Sequence, residues 1–193
     1  MSIKAVAFNG SPHTDGNTFI LLKTVLAELD AEGIETELVQ LGPMRLHGCT
    51  ACNLCIERKD GKCAVSNDAL NDCLFKMMRA DAIIIGSPVY VGDASALARA
   101  FIERVCMVSR ANGSIFERKI GASVVVARRA GATSAIDSIN RFLLAQGMAV
   151  AGSSYWNMAI GRGRGEVEND AEGMRTMKNL GQNLAWMLKG LKG

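Results

Sequence analysis

KAVAFNGSPHTDGNT, residues 4–18, sets an apolar run of strand character against a polar, glycine-bearing loop. A helical pattern follows at once. Phe19, Leu22, Val25, Leu26 and Leu29 recur at helical spacing, so a helix is predicted from about Thr18 to Ala31, with Glu32-Gly33 as its stop. A buried strand that passes through a small-residue turn into a helix is the opening unit of a parallel α/β sheet.

The same alternation continues along the chain. Strands are predicted at Glu35–Leu41, Ala82–Gly86 (AIIIG), Ile120–Ala127 and Met148–Gly152. Helices are predicted from Asn67 or Asp68 to Arg79, from Ala94 to Cys106, from Thr133 or Ser134 to Gln146 and from Asp170 to Leu188. The strands lack strict polar alternation, as a sheet covered on both faces requires. The expected fold is therefore a single α/β domain over residues 1–193, a doubly wound, five-stranded parallel sheet of order 2-1-3-4-5. A cysteine-rich insertion at 42–65 follows strand two.

Composition agrees. Of 193 residues, 49% are hydrophobic and 21% charged, which describes a folded chain, not a disordered one. Net charge is only +3, and no Lys/Arg stripe exists, so nucleic acid is not an expected partner. The apolar N-terminal run ends at Phe8, too short for a secretory segment, and no run reaches membrane-spanning length. A reducing cytoplasm is the expected location, where clustered thiols point to metal or redox chemistry more than to disulfides.

Three loops stand at the expected carboxyl end of the sheet, where such folds bind ligands. Gly10–Thr18 is small and hydroxyl-rich. Its backbone amides and the following helix start suit a phosphate, with Ser11, Thr14 and Thr18 as hydroxyl donors and Asn17 fixing the turn or donating. It lacks both GxGxxG and a P-loop lysine, which fits a phosphate held and not transferred. Ser87–Asp93, SPVYVGD, offers Tyr90 as a flat face and the amides of Val89 to Gly92 to ring heteroatoms. Ala127–Thr133, ARRAGAT, places Arg128 and Arg129 at a strand end, where one cation can stabilise charge on a reduced flavin ring. Together they point to flavin mononucleotide. Each loop taken singly also reads as an ordinary turn or surface pair.

GCTACNLCIERKDGKC, Gly48–Cys63, holds four of the six cysteines. Cys49, Cys52 and Cys55 are three apart, and Cys63 follows. This compact spacing suits an iron–sulfur cluster. Structural zinc, free buried thiols and a disulfide stay open as alternatives. Cys73 and Cys106 fall in predicted helices as ordinary small buried residues. Ser154–Glu168, with Tyr155, Trp156, Arg162 and Arg164, is expected to edge the ligand, contact another subunit or merely connect, and its glycines predict mobility.

Across nearly its whole length the chain resembles the iron–sulfur flavoprotein branch of the NAD(P)H-dependent FMN reductase family, within the flavodoxin-like superfamily. The resemblance lies in GSPHTDGNT, the cysteine block, SPVYVGDASALARAFIER, ARRAGAT, Tyr155-Trp156 and Asp170–Gly173. The cysteine block is its specific part. By position it implies that Ser11, Thr14, Gly16, Asn17 and Thr18 hold the FMN phosphate. Pro88, Val89, Tyr90 and Gly92 then line the ring, and Arg128, Arg129 and Gly131 complete the far side. Cys49, Cys52, Cys55 and Cys63 would ligate one [4Fe-4S] cluster. His13 departs from the family, standing where relatives commonly carry Arg or Lys.

The resemblance further implies a homodimer or homotetramer and an electron-transfer flavoprotein that passes electrons between FMN and the cluster. NAD(P)H, a ferredoxin or another redox carrier would be the donor. No catalytic acid, base or nucleophile is expected. A cluster-free NAD(P)H-dependent FMN or quinone reductase, and a non-enzymatic thiol or zinc redox sensor, are the alternatives.

Overall fold

The structure is a computed structural model, described over residues 2–192. Strand β1 (Lys4–Asn9) leads into helix α1 (Asn17–Ala31) and strand β2 (Glu35–Gln40). A 3-10 turn at Gly42–Met44 opens the cysteine segment, which contains a short helix α2 (Leu54–Arg58). Then come α3 (Leu70–Arg79), β3 (Ala82–Tyr90), a two-residue strand β4 (Asp93–Ala94), α4 (Ala96–Ala111), β5 (Ile120–Ala127) and α5 (Ala132–Ala145). Strands β6 (Ala149–Val150) and β7 (Met158–Ile160) precede α6 (Ala171–Lys192).

The parallel sheet runs β2-β1-β3-β5-β6, with β7 continuing the edge beside β5. Counting the broken edge as one position, this is the expected 2-1-3-4-5 order. The edge breaks because β6 pairs only with the start of β5, at Ile120 and Gly121, while β7 pairs with its end, at Val125 to Ala127. The predicted strand Met148–Gly152 is therefore shortened to Ala149–Val150. The chain leaves the sheet at Ala151 and returns at Met158.

β3 also departs from expectation. It does not stop at Gly86 but continues through Ser87 and Pro88, still paired with Val125 and Val126 of β5. Its other neighbour, β1, ends opposite Gly86 at Asn9. Past that point β3 is open on one side, where proline's missing N–H costs no ladder bond. Val89 and Tyr90 then turn back against β4 in an antiparallel hairpin. The cysteine segment is likewise not wholly irregular. α4 starts at Ala96, two residues later than expected, because Ser95 caps it by accepting from Ala98 N at 3.1 Å. It then runs on to Ala111.

Strand alternation sorts the core into two layers. Val6, Phe8, Ile83 and Ile85 pack with α3, α4 and α5. Ala5, Ala7, Ala82 and Ile84 pack with α1 and α6. Within α3, Cys73 is fully buried, and that burial, reinforced by the Asp72 charge, pushes its thiol up to about 12. The raised value means folding favours the neutral thiol. Its contribution is complete below the unfolded value of 9.0 and is lost as pH climbs from there toward about 12. Alkaline denaturation is expected to soften in Cys73→Val, measured as a shallower fall of stability with pH above 9 than in wild type. No helix among the described residues is long and apolar enough to cross a membrane.

Candidate functional site

At the carboxyl end of the sheet, β1 and β3 send their chains in opposite directions. The gap between their ends is the binding crevice of a doubly wound fold. A cavity of about 350 Å³ opens there, lined by Ser11, His13, Gly16, Asn17 and Thr18 from the first loop, Pro88 to Tyr90 from β3, and Arg128, Arg162 and Arg164. Nothing caps α1 with a side chain at Gly16, and its first turn holds no acidic residue. The helix's positive end and its unpaired N–H groups are therefore left to an anion or to solvent.

The loop that presents them is held by polar contacts that run from buried at Ser11 and Ser95 to exposed where Gln40 meets Thr14. Asn9, at the last position of β1, accepts from Ser11 N at 3.0 Å and donates to Gln40 Oε1 at 2.7 Å and to His13 O at 3.2 Å. Gln40 in turn donates to Thr14 O at 2.8 Å. Ser95 Oγ donates to Gly10 O at 2.6 Å, while Ser95 N donates to Ser87 Oγ at 2.9 Å. One serine thus ties the loop after β1, the extension of β3 and the start of α4 together. Gly10 sits so close that a Cβ there would lie 2.7 Å from both Ala98 Cβ and Gly86 O.

Asn17 uses its amide on the chain itself. Nδ2 donates to Gly163 O at 2.8 Å, and Oδ1 accepts from Val167 N at 3.4 Å. The segment carrying Arg162 and Arg164 is thereby fastened across the entrance to α1. Glu166 fastens it further by accepting from Arg162 N and Gly163 N, both at 2.6 Å, and these bonds hold its carboxyl below the usual range. Arg164 pairs with Asp15. The segment is laced in place, which its three glycines did not predict.

Of the other residues singled out from sequence, Thr14, Gly92, Arg129 and Gly131 lie outside the cavity lining. Gly92 and Val91, both with positive φ (79° and 52°), form the tight turn between β3 and β4. Gly131, at φ 88°, packs under that turn: a Cβ there would meet Gly92 Cα and Val89 Cγ1 at 2.9 Å. A broader hollow of about 910 Å³ lies between α4 and α5. Its charges neutralise one another, Arg99 with Asp93 and Arg141 with Asp137, so it offers no comparable set of free donors.

The four clustered cysteines line a second, mostly apolar cavity with Ala51, Arg104, Met107 and Val108. Left-handed residues Ala51, Asn53 and Lys59 curl the segment. Ala51 N donates to Cys49 Sγ at 3.4 Å. Burial pushes the Cys55 thiol up, and the nearby Cys63, Cys49 and Cys52 push it the same way. Among the described residues, no group of three or more His, Cys, Asp or Glu side chains is gathered to hold a metal ion. The donor chemistry nonetheless fits a thiolate-held cluster: four free thiols share one cavity, and hydrogen-bond donors reach two of the sulfurs.

Helix α4 carries this segment. Glu103 accepts from Cys49 N at 3.1 Å, Arg104 NH2 donates to Cys63 Sγ at 3.3 Å, and Asn112 Oδ1 accepts from Gly61 N at 2.9 Å. Asn71 of α3 clamps the Cys63 backbone from both sides, at 2.8 and 3.0 Å. Sequence reading singled out none of these. Arg104 alone left a signal, a cation on the apolar stripe of Phe101, Val105 and Val108.

A flavodoxin from the domain Archaea superposes over 97% of this chain and 99% of its own, with TM-score 0.62 at 14% identity. An NAD(P)H:quinone oxidoreductase from Methanothermobacter marburgensis reaches TM-score 0.74 at 16% identity, covering 95% of this chain and 96% of its own. Both show a flavodoxin-like fold. An iron-sulfur flavoprotein of Methanocaldococcus jannaschii is 34% identical over 98% of this chain and 100% of its own length. Residues 3–163 match the NADPH-dependent FMN reductase family, a span that takes in the loop after β1, the cysteine segment and the β3–β4 hairpin. With sheet order, crevice and sequence in agreement, the chain belongs to the NADPH-dependent FMN reductase family and is a flavin-dependent oxidoreductase.

Proposed function

We propose that this protein is an electron-transfer flavoprotein with two redox centres. In this reading FMN lies across the ends of β1, β3 and β5, and Cys49, Cys52, Cys55 and Cys63 hold one [4Fe-4S] cluster. The observation that carries it is the shared cavity of the four thiols, fastened to the helix whose cap also holds the crevice loop. The likeness to proteins named iron-sulfur flavoproteins supports it. When bound, FMN supplies two-electron chemistry and a cluster supplies one-electron chemistry, so the pair can split or gather electrons.

The chain's own part is to bind and orient. The first turn of α1, with the buried Ser11 and Thr18, meets the phosphate. Pro88, Val89 and the half-exposed Tyr90 flank the ring, and Arg128 supplies positive charge at the cavity wall. Thr14, Gly92, Arg129 and Gly131 act through the loops they shape. The free thiols suit a reducing cytoplasm. Assembly as a homodimer or homotetramer belongs to the same reading, as does an NAD(P)H or ferredoxin donor.

Rapid mixing of anaerobic protein with NADH, NADPH or reduced ferredoxin tests this, with flavin absorbance and cluster EPR followed together. At least one donor is expected to reduce both centres. Flavin reduction with no cluster signal in any mixture would leave a cluster-free FMN or quinone reductase.

A further inference from the structure

The side chain of Arg104 is 1% exposed and pairs with Asp68, itself 3% exposed. Burying a guanidinium costs several kcal/mol unless its donors are used. Here NH1 goes to Asp68 and NH2 serves three acceptors, Asp68 Oδ1, Val65 O and Cys63 Sγ, each at 3.3 Å, while Nε is buried without a partner among the described residues. A pair needed only for stability would close on itself. This one turns an N–H edge of the cation toward a thiol that lines the cysteine cavity. Arg104 also stands nine residues after Ser95, about 13–14 Å along α4 at 1.5 Å per residue. The same rigid helix therefore begins at the flavin crevice and delivers the cation to the thiols.

From this geometry, and resting on the two-centre reading above, we propose that Arg104 is a positioning residue that sets the reduction potential of the thiol-bound centre. Its hydrogen bond to Cys63 sulfur and its positive charge both stabilise the extra electron of the reduced state. By also holding Val65 and Asp68, it fixes where Cys63 enters the cavity. Asp68 offsets part of that charge, so the hydrogen bond to sulfur carries the larger share of the effect and the remaining charge the smaller.

The test compares anaerobically reconstituted wild type with Arg104→Lys and with the double variant Arg104→Gln/Asp68→Asn. The double variant leaves no unpaired buried charge and should fold, as retained flavin and circular dichroism will report. EPR-monitored titration with dithionite reads the midpoint. In the double variant, reduction is expected to become about tenfold less favourable, or about 59 mV for one electron. Iron loss to a chelator should be about tenfold faster. Arg104→Lys, which keeps the charge, should recover part of both.

An unchanged midpoint and an unchanged rate of iron loss in an iron-replete double variant would overturn the role of Arg104 alone. Wild type that takes up no iron or sulfide would overturn the two-centre reading, and this inference with it.

Discussion

Gly10→Val is expected to strip the protein of flavin. A Cβ at this position would press to 2.7 Å against Ala98 Cβ and Gly86 O, and neither can rotate away, one being fixed to a helix and the other being backbone. Relief requires the end of β1 to move off β3 or α4 to lift. The first breaks the Gly10 N to Gly86 O bond of 2.8 Å, and the second breaks the 2.6 Å bond from Ser95 to Gly10 O. Overpacking of about 1–3 kcal/mol plus a lost hydrogen bond of about 1 kcal/mol gives about 2–4 kcal/mol. For a domain of this size that is a fall in Tm of about 5–15 °C.

The loop that presents the α1 terminus moves with Gly10, so FMN should bind at least about tenfold more weakly, the equivalent of about 1.4 kcal/mol. Flavin retention on gel filtration and thermal unfolding measure both effects. Gly152→Ala is the control. Its Cβ would meet nothing within 4 Å, and it should behave as wild type.

Cys55→Ala is expected to lower iron content after anaerobic reconstitution to less than about a quarter of wild type, since losing one of four thiolates leaves one iron with only a weak solvent ligand and the cluster labile. Cys55 sits in α2 beside Cys49, Cys52 and Cys63, and its loss changes no residue lining the cavity at the carboxyl end of the sheet. FMN content should therefore stay near wild type. Cys106→Ala supplies the contrast. That thiol lies on α4, outside the cysteine cavity, and accepts from Gln146 Nε2 at 3.1 Å, so its removal should leave iron unchanged. Equal iron loss in both variants would mean that the segment's thiols have no special claim on metal.

The parts of the fold legible in sequence are those governed by local pattern. KAVAFN, AIIIG and the helical stripe of α1 each carry enough apolar periodicity to fix element type and order. The loop after β1 was legible as a turn into a helix for the same reason, since small polar residues separate a buried strand from the apolar stripe of α1. Elements that depend on distant partners were not legible. Pro88 reads as a strand breaker until β1 is seen to end at Asn9. The division of the edge into β6 and β7 follows from where β5 offers free ladder positions.

The site shows the same division. Asn17 reads in sequence as a residue that fixes the turn or donates through its amide, and nothing local shows that the amide also holds Gly163 and Val167, about 150 residues downstream. Asp68 reads in sequence as one of two possible starts for α3. Its carboxylate instead goes to Arg104, although Oδ1 still accepts from Leu70 N at 3.2 Å. Asn9, Gln40 and Ser95 hold the crevice loop, yet each is one more polar residue at an element's end. Their importance comes from contacts that only the closed sheet creates.

Chemical analysis of iron, acid-labile sulfide and FMN in protein isolated without exposure to air tests the central claim most directly. Two redox centres predict about one FMN with about four iron and four sulfide per chain. Stoichiometric FMN with iron and sulfide at background would contradict it.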